Sequence, residues 1–338
     1  MTDIVRPLMA DVARLAGVST MTVSRVLNGH PNVTEATRTR VEHAIEQLSY
    51  RPHTAARTLA GGPSGTIGVV SVETPYYGPV NTLFGIEVAA RAAGLFVNFV
   101  VVRKVDEARM RAAVEHLLST HVDGIVISTP VRTAFGALEG ISVDVPVIVL
   151  RGAPSAEAPT VVIDQTESSR LATGHLLDLG HRTVHHVRGP SEWFEADARS
   201  EAWAAELRAR GIEPPTPLLG DWTPASGYKA GRELAADPTV TAVFAANDQM
   251  ALGVLLALHE AGRRVPEDVS VVGFDDIPEA AFFYPPLTTI RQDFEELGRR
   301  CLHRLEMLIN GQDPGGVDVI HPPLVERAST APPTAGDA

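Results

Sequence analysis

Apolar residues follow two different spacings along this chain of 338 residues. Through the first sixty or so the spacing is helical. Ala10, Val12, Ala13, Ala16 and Val18, then Val23, Val26 and Leu27, supply the inner faces of two short helices within residues 9–28. Gly17 falls where the chain must turn between them, and Ser19 is a ready N-cap for the second helix. The opposite face of that second helix presents Thr20, Met21, Thr22, Ser24 and Arg25. Asn28-Gly29 closes it, and residues 34–48 form a third amphipathic helix with Val41, Ala44, Ile45 and Leu48 inward and Thr34 as its cap. The polar and cationic face suits a recognition helix in a DNA major groove. On its own, the pattern fits an ordinary helical hairpin equally well.

From residue 66 short apolar runs alternate with helical stretches. Strands are predicted at 66–72, 95–102, 124–129, 145–150, 160–164, 183–189, 242–247 and 269–276. Helices are predicted at 80–93, 106–120, 166–179, 196–210 and 248–262. Alternation of this kind gives parallel sheets with helices on both faces, an α/β fold with two doubly wound lobes. The predicted organisation is a helix-turn-helix headpiece at 1–49, a hinge helix and linker at 50–62, a first lobe at 63–162 plus 291–325, a second lobe at 163–290 and a flexible tail at 326–338.

The connecting segment YRPHTAARTLAGG, residues 50–62, has Pro52 at a helix start, good helix formers at Ala55-Ala56 and a stop at Gly61-Gly62. A helix of about two turns does not hold itself together in water. It is therefore expected to be helical only when something else stabilises it, with Leu59 as its one large apolar residue. A plain interdomain linker is the alternative.

Charge changes the picture by its distribution. The net charge of −12 argues against a nucleic-acid binder, yet residues 1–62 hold seven arginines against five acids, while the remainder holds 22 basic against 36 acidic residues. A DNA contact is thus confined to the headpiece, and the acidic body repels stray DNA. The one cysteine, Cys301, lies in an amphipathic helical stretch, which excludes an internal disulfide framework and fits a reducing cytoplasm. The N-terminus lacks the apolar run of a signal peptide, and no segment is long and apolar enough for a membrane span. The closing ASTAPPTAGDA reads as a frayed tail without leucine heptads.

Wound sheets bind ligands outside the carboxyl ends of their strands. That rule selects Val72-Glu73, Thr129, Arg151, Asp164, Asn247-Asp248 and Asp275-Asp276. Helix capping competes as an explanation, chiefly for Asp248 and Asp276, and less for Asn247 and Asp275. Only 18 residues are Phe, Trp or Tyr, yet Tyr76-Tyr77, Trp193-Phe194, Trp222 and Phe282-Phe283-Tyr284 all fall in loop-like segments. A flat ring beside carboxylate, amide and guanidinium groups suits a sugar, whose C–H face it covers. His175, His181 and the pair His185-His186 lack the spacing of a metal site, no cofactor motif follows the first strand, and Asp275-Asp276 are adjacent rather than flanking as a glycosidase pair must.

The stretches DVARLAGVSTMTVSRVLN (11–28) and YRPHTAARTLAGG resemble the headpiece and hinge of the lactose-repressor (LacI/GalR-type) family of bacterial transcription regulators. The resemblance implies a homodimer on a palindromic operator, without a cofactor. It also implies base reading by Thr20, Met21 and Arg25, on a helix whose DNA-facing set further includes Ser19, Thr22, Ser24 and Asn28. Paired hinge helices carrying His53, Arg57 and Leu59 would enter the minor groove, with Leu59 as a wedge at the central base step. The family usually has Thr before its first helix. Leu8 stands there, removing a cap worth about 1 kcal/mol.

In the C-terminal third GDWTPASGY, AANDQMALG and VVGFDDIPEAAFFYPPLTTIRQDFEELG carry the resemblance more closely still. It implies effector-binding roles for Arg199, Trp222, Asn247, Asp275, Gln292 and Phe294, with Tyr76, Gly78 and Pro79 lining the pocket from the first lobe. Arg151 departs from the pattern by standing where the family's namesake has a sugar-contacting Asp, and Trp193 and Glu195 replace small serines. A sugar of related stereochemistry with a different aglycone or second ring is therefore expected, a β-galactoside or similar glycoside acting as inducer. The alternatives are a ligand that acts as co-repressor, a sugar-binding transport protein, which would need a signal peptide and no headpiece, and a sugar-processing enzyme.

Overall fold

The computed structural model describes residues 7–27, 30–50, 62–103, 105–130, 143–150 and 159–334. They divide at Ser64–Gly65 into a headpiece and a body. In the headpiece, helices α1 (Met9–Ala16), α2 (Thr20–Leu27) and α3 (Glu35–Gln47) close around Val12, Val23, Val26, Val41, Ala44 and Tyr50. Gly17 turns α1 into α2 with φ +64°, and a Cβ there would meet nothing within 4 Å. Its glycine is therefore required by backbone conformation and not by space. The Ser19 Oγ accepts the Thr22 N–H at 3.1 Å and caps α2 as expected.

Two expected caps differ. Leu8 has no side-chain acceptor, but its own N–H donates to the Asp11 carboxylate at 2.8 Å, so the return half of a capping box survives. Thr34 occupies the cap position of α3, but its hydroxyl donates to the Thr37 hydroxyl at 2.9 Å and makes no capping bond to the backbone.

Among the described residues the body holds two six-stranded sheets. The first is ordered β11-β5-β4-β3-β1-β2, from β1 (Thr66–Val72), β2 (Phe96–Val102), β3 (Gly124–Ser128), β4 (Val147–Leu150), β5 (Thr160–Ile163) and β11 (Val317–Ile320), all parallel. Its flanking helices are α4 (Tyr77–Ala92), α5 (Glu107–Ser119) and α10 (Phe294–Ile309). The second is ordered β12-β10-β9-β8-β6-β7, from β6 (His185–Arg188), β7 (Leu218–Leu219), β8 (Ala242–Ala245), β9 (Ser270–Asp275), β10 (Thr288–Arg291) and β12 (Leu324–Val325). Around it lie α6 (Gln165–Asp178), α7 (Phe194–Ala209), α8 (Pro224–Ala235) and α9 (Asp248–Glu260).

Alternate strand residues feed opposite cores. On sheet one Val69 and Val126 face α4 and α10, while Val70 and Ile127 face Met110 and Leu117 of α5. Burial on both faces is why these strands read as unbroken apolar runs. Helices α4 and α10 cross at Gly85 and Gly298, where a Cβ on either would fall inside the other helix's backbone.

Among the described residues the chain passes between the lobes three times, after β5, after β10 and after β11. The third passage corrects the expected boundary at 325, because β12 pairs antiparallel with β10 on the second sheet. The expected flexible tail is also corrected. Ser329 is fully buried, its Oγ donating to the Val271 carbonyl at 2.6 Å and accepting the Thr288 N–H at 2.8 Å. Ala331 O meets Ser270 Oγ at 2.9 Å and His181 Nε2 at 3.1 Å. Residues 326–331 thus strap the edge of the second lobe, and His175 joins them through Thr330 at 3.0 Å. Polar, proline-containing composition concealed this, because the strap is held by backbone and hydroxyl bonds and not by apolar burial.

Buried Cys301 has its thiol pushed up to about 12 by burial, which makes it inert. His186 is stacked between Phe244 and Trp203 at 4.8 and 5.1 Å, and burial pushes it down to about 3, so it is neutral.

Candidate functional site

The headpiece presents one polar helix face. Val23 and Val26 turn α2 inward, leaving Ser19, Thr20, Met21 and Arg25 exposed, with Thr22 and Ser24 part-buried beside them. Ser19 and Thr22 hydroxyls bond each other at 2.9 Å, so this pair stiffens the start of the helix. Among the expected DNA-facing residues, Asn28, His53, Arg57 and Leu59 lie outside the described residues.

In the body one cavity, about 770 Å³ of non-atom space with its mouth included, lies at the carboxyl ends of the strands. Tyr76, Gly78 and Pro79 line it from the start of α4 in the first lobe, and Phe294 from the start of α10. Arg199, Trp222, Asn247, Asp275 and Gln292 line it as well. Arg151 lies outside the described residues. Sequence reasoning missed Gln165, which follows the strand-end Asp164 and passes for an ordinary first-turn helix residue. Asp164 itself caps α6 by accepting the Glu167 N–H at 2.9 Å.

Four of these side chains close a ring. Arg199 Nε donates to Gln165 Oε1 at 2.8 Å, Gln165 Nε2 to Gln292 Oε1 at 3.0 Å, and Gln292 Nε2 to Asp275 Oδ1 at 2.5 Å. Arg199 faces the same Asp275 oxygen at 3.8 Å. Gln165 and Gln292 sit on two of the three lobe passages, so the ring ties the cavity floor to the segments about which the lobes would move. The second terminal nitrogen of Arg199 donates to the Ala246 carbonyl.

Burial sets the electrostatics. It pushes Asp275 up to about 6, against the opposing pull of Arg199 and Gln292. The Arg199 guanidinium is lowered by the same desolvation, with Asp275 raising it. The neighbouring Asp248 is pushed well above the carboxylate range, first by burial and then by Asp275. It accepts from the Ile277 N–H at 2.8 Å and the Thr289 hydroxyl at 2.6 Å.

The expected assignment of caps is reversed here. Asn247, not Asp248, caps α9 by accepting the Met250 N–H at 2.9 Å. Its amide donors go to Trp222 O at 3.1 Å and Gln249 Oε1 at 2.8 Å. Asn247 therefore fixes the backbone at Trp222 and keeps only acceptor capacity for a ligand. Asp276 is no cap either: it holds Arg291 at 2.6 Å and Arg327 at 2.7 Å. Trp222 and Asp275 have φ of +71° and +113°, sparsely populated for side-chain-bearing residues and of the kind that collects at binding sites.

Aromatic rings form the walls. Tyr76 meets Trp193 at 5.4 Å and Trp193 meets Trp222 at 5.6 Å, both edge to face, and Tyr77 meets Phe294 at 5.9 Å. Two enclosed polar atoms, Trp222 Nε1 and Glu195 Oε2, have no hydrogen-bond partner among the described residues. Burial pushes the Glu195 carboxyl up to about 7. Apolar walls with a few fixed donors and acceptors suit a ligand with a C–H face and a hydroxylated rim.

Comparison with known proteins agrees with both halves. Residues 8–53 match the family model described as bacterial regulatory proteins, lacI family, and residues 173–330 match that of the periplasmic binding protein-like domain. Over 330 residues, 97% of this chain and 92% of the relative, the chain is 35% identical to the lactose operon repressor of Escherichia coli (strain K12). Among solved structures, a lac repressor dimer bound to operator and the anti-inducer ONPF superposes with a TM-score of 0.86 at 34% identity, covering 96% of this chain and 99% of that one. A complex of the transcriptional regulator CelR with cellobiose superposes with a TM-score of 0.69 at 33% identity, covering 96% and 100%.

Proposed function

We propose, from the premise that this chain belongs to the lacI family of bacterial regulatory proteins, that a saccharide inducer releases it from its operator, and that the inducer is a β-galactoside or related glycoside. The chain is a DNA-binding transcriptional repressor with a small-molecule effector domain. The observation that carries the saccharide reading is the cavity itself. Three edge-to-face aromatics form its wall, and the Arg199–Gln165–Gln292–Asp275 ring forms a floor of fixed donors and acceptors. The related CelR is solved with cellobiose, which supports a glycoside without choosing the sugar.

Two headpieces of a homodimer would read the two halves of a palindromic operator, with Thr20, Met21 and Arg25 toward the bases. The related lac repressor is solved as a dimer on its operator. Sugar held between the lobes would favour one lobe arrangement, and the segment 50–62 would transmit it to the headpieces. A protein acting on chromosomal DNA works in the cytoplasm, and among the described residues no helix is long and apolar enough to cross a membrane.

A thermal-shift screen across β-galactosides, other glycosides and nucleobases tests the reading. Stabilisation by a glycoside that also lowers operator affinity is the expected result. Stabilisation by nucleobases alone, or a ligand that tightens operator binding, would replace it with a co-repressor mechanism.

A further inference from the structure

We propose that Glu195 is a specificity-determining residue of the cavity, accepting through Oε2 a hydrogen bond from a hydroxyl of an uncharged saccharide and excluding anionic ligands such as uronic acids and sugar phosphates. The proposal rests on the saccharide reading above and deepens it.

Glu195 is the second residue of α7. The two residues before it are tied across to the first lobe, Trp193 through the Tyr76 ring at 5.4 Å and Phe194 through its N–H on the Pro130 carbonyl at 3.1 Å. Its carboxyl therefore stands where the lobes meet over the cavity. The residue as a whole is part-buried, but Oε2 is enclosed and makes no hydrogen bond.

A carboxylate at a helix start ordinarily serves the helix, bonding first-turn N–H groups. Oε2 does not. Among the described residues the cation acting on it, Arg199, is already committed. Arg199, one turn further along α7, spends Nε on Gln165, one terminal nitrogen on Ala246 O and the other toward Asp275, with its plane over the Phe274 ring at 3.7 Å. Burial holds the Glu195 carboxyl near 7, against the lowering pull of its own backbone N–H, which the carboxyl accepts, and of Arg199.

The second unsatisfied atom is complementary. Trp222 Nε1 is donor-only, enclosed and without an acceptor. One waiting acceptor and one waiting donor in the same cavity are met together by a hydroxylated ring, whose OH groups both donate and accept. A phosphate or carboxylate brings acceptors only, and above pH 7 it would meet Glu195 and Asp275 as a like charge.

The test uses the full-length protein at pH 8, with tryptophan fluorescence or calorimetry. The probes are galactose, lactose, each monodeoxygalactose and galacturonic acid, and the proteins are wild type, Glu195→Gln and Glu195→Ala. Loss of a hydrogen bond to a charged acceptor weakens binding about tenfold or more. We expect that loss in Glu195→Ala for the neutral sugars. We also expect one monodeoxy analogue to be weak on the wild type yet bound equally by wild type and Glu195→Ala, a signature that a merely structural role does not give. Glu195→Gln should admit galacturonic acid where the wild type refuses it. Neutral sugars bound equally by wild type and Glu195→Ala, or deoxy analogues losing the same factor on both, overturn the assignment. No binding of any neutral sugar to the wild type overturns the saccharide reading itself and takes this assignment with it. Should Glu195→Ala fold poorly, the size-conserving Glu195→Gln carries the test: if it refuses galacturonic acid as the wild type does, the assignment is overturned.

Discussion

Arg199 sits over the ring of Phe274, its guanidinium carbon 3.7 Å from the ring centroid, while one terminal nitrogen faces Asp275 at 3.8 Å. Both charged side chains are buried. A buried ion pair is costly to assemble, but removing one partner is costlier, because the other charge is left without compensation. Arg199→Ala should therefore destabilise the body by about 3–5 kcal/mol. Urea unfolding followed by circular dichroism reads this directly. A change below about 1 kcal/mol would mean that Asp275 simply takes up a proton and that the pair is not what holds the cavity floor.

Stability should fall as pH rises through the weakly acidic range. Asp275 and Glu195 have folded values near 6 and 7, above those of unfolded carboxyls, so the folded state binds more protons between about pH 4 and 7. The sign follows: stability is highest at the acid end of that window and declines toward neutrality, by up to about 1.4 kcal/mol per pH unit for each group. Arg199 is the charged neighbour that lowers both, and Asp275 in turn raises Glu195. Glu195→Gln should flatten the upper part of the profile, between about pH 6 and 7. Identical melting-temperature profiles for wild type and variant would show that Glu195 is ionised in the folded protein throughout.

Ser329 secures the C-terminal strap with two bonds to the sheet, and its substitution by Ala leaves the buried Thr288 N–H without an acceptor. The expected loss is about 1–3 kcal/mol, and truncation after residue 325 should lose more. Equal stability of the truncated chain would mark the strap as dispensable.

Much of this architecture is legible in the sequence because the strands are buried on both faces. Runs such as TIGVVSV at β1 declare themselves without periodicity, and β1 matches its expected bounds of 66–72. What escaped is short or polar. Leu218–Leu219 and Leu324–Val325 are two-residue strands beside prolines, and the strap at 326–331 is held by hydroxyls. Of the polar floor of the cavity the strand-end rule found Asp275, the last residue of β9, whereas Arg199 and Gln292 were named only by the family resemblance. It could not distribute roles. Asn247 and Asp248 are neighbours of similar polarity, and only the geometry shows that the first caps α9 while the second is buried under Thr289 and Ile277. Gln165 was invisible for the opposite reason, as its partners Arg199 and Gln292 lie 34 and 127 residues away in sequence.

Arg25, exposed on α2 near its C-terminal end, should contact a base. Arg25→Ala should lose about 1–3 kcal/mol on the preferred site and relax one base position in each half-site. Selection from random DNA, at one fixed salt concentration, should recover a palindrome for the wild type. An asymmetric consensus, or an unchanged one for the variant, would contradict base reading by this helix.

Coupling between the two ends is the step on which the repressor reading stands. A ligand shifts an equilibrium only by its differential affinity for the two states, and a near-complete switch needs about 5.5 kcal/mol of difference. The direct measurement is a reciprocal titration. Operator affinity is determined with and without a saturating glycoside identified by thermal shift, and the affinity for that glycoside is determined with and without operator. We expect the glycoside to weaken operator binding and the operator to weaken glycoside binding by the same factor, as linkage requires. A glycoside that binds the body and leaves operator affinity unchanged, or strengthens it, would contradict induction.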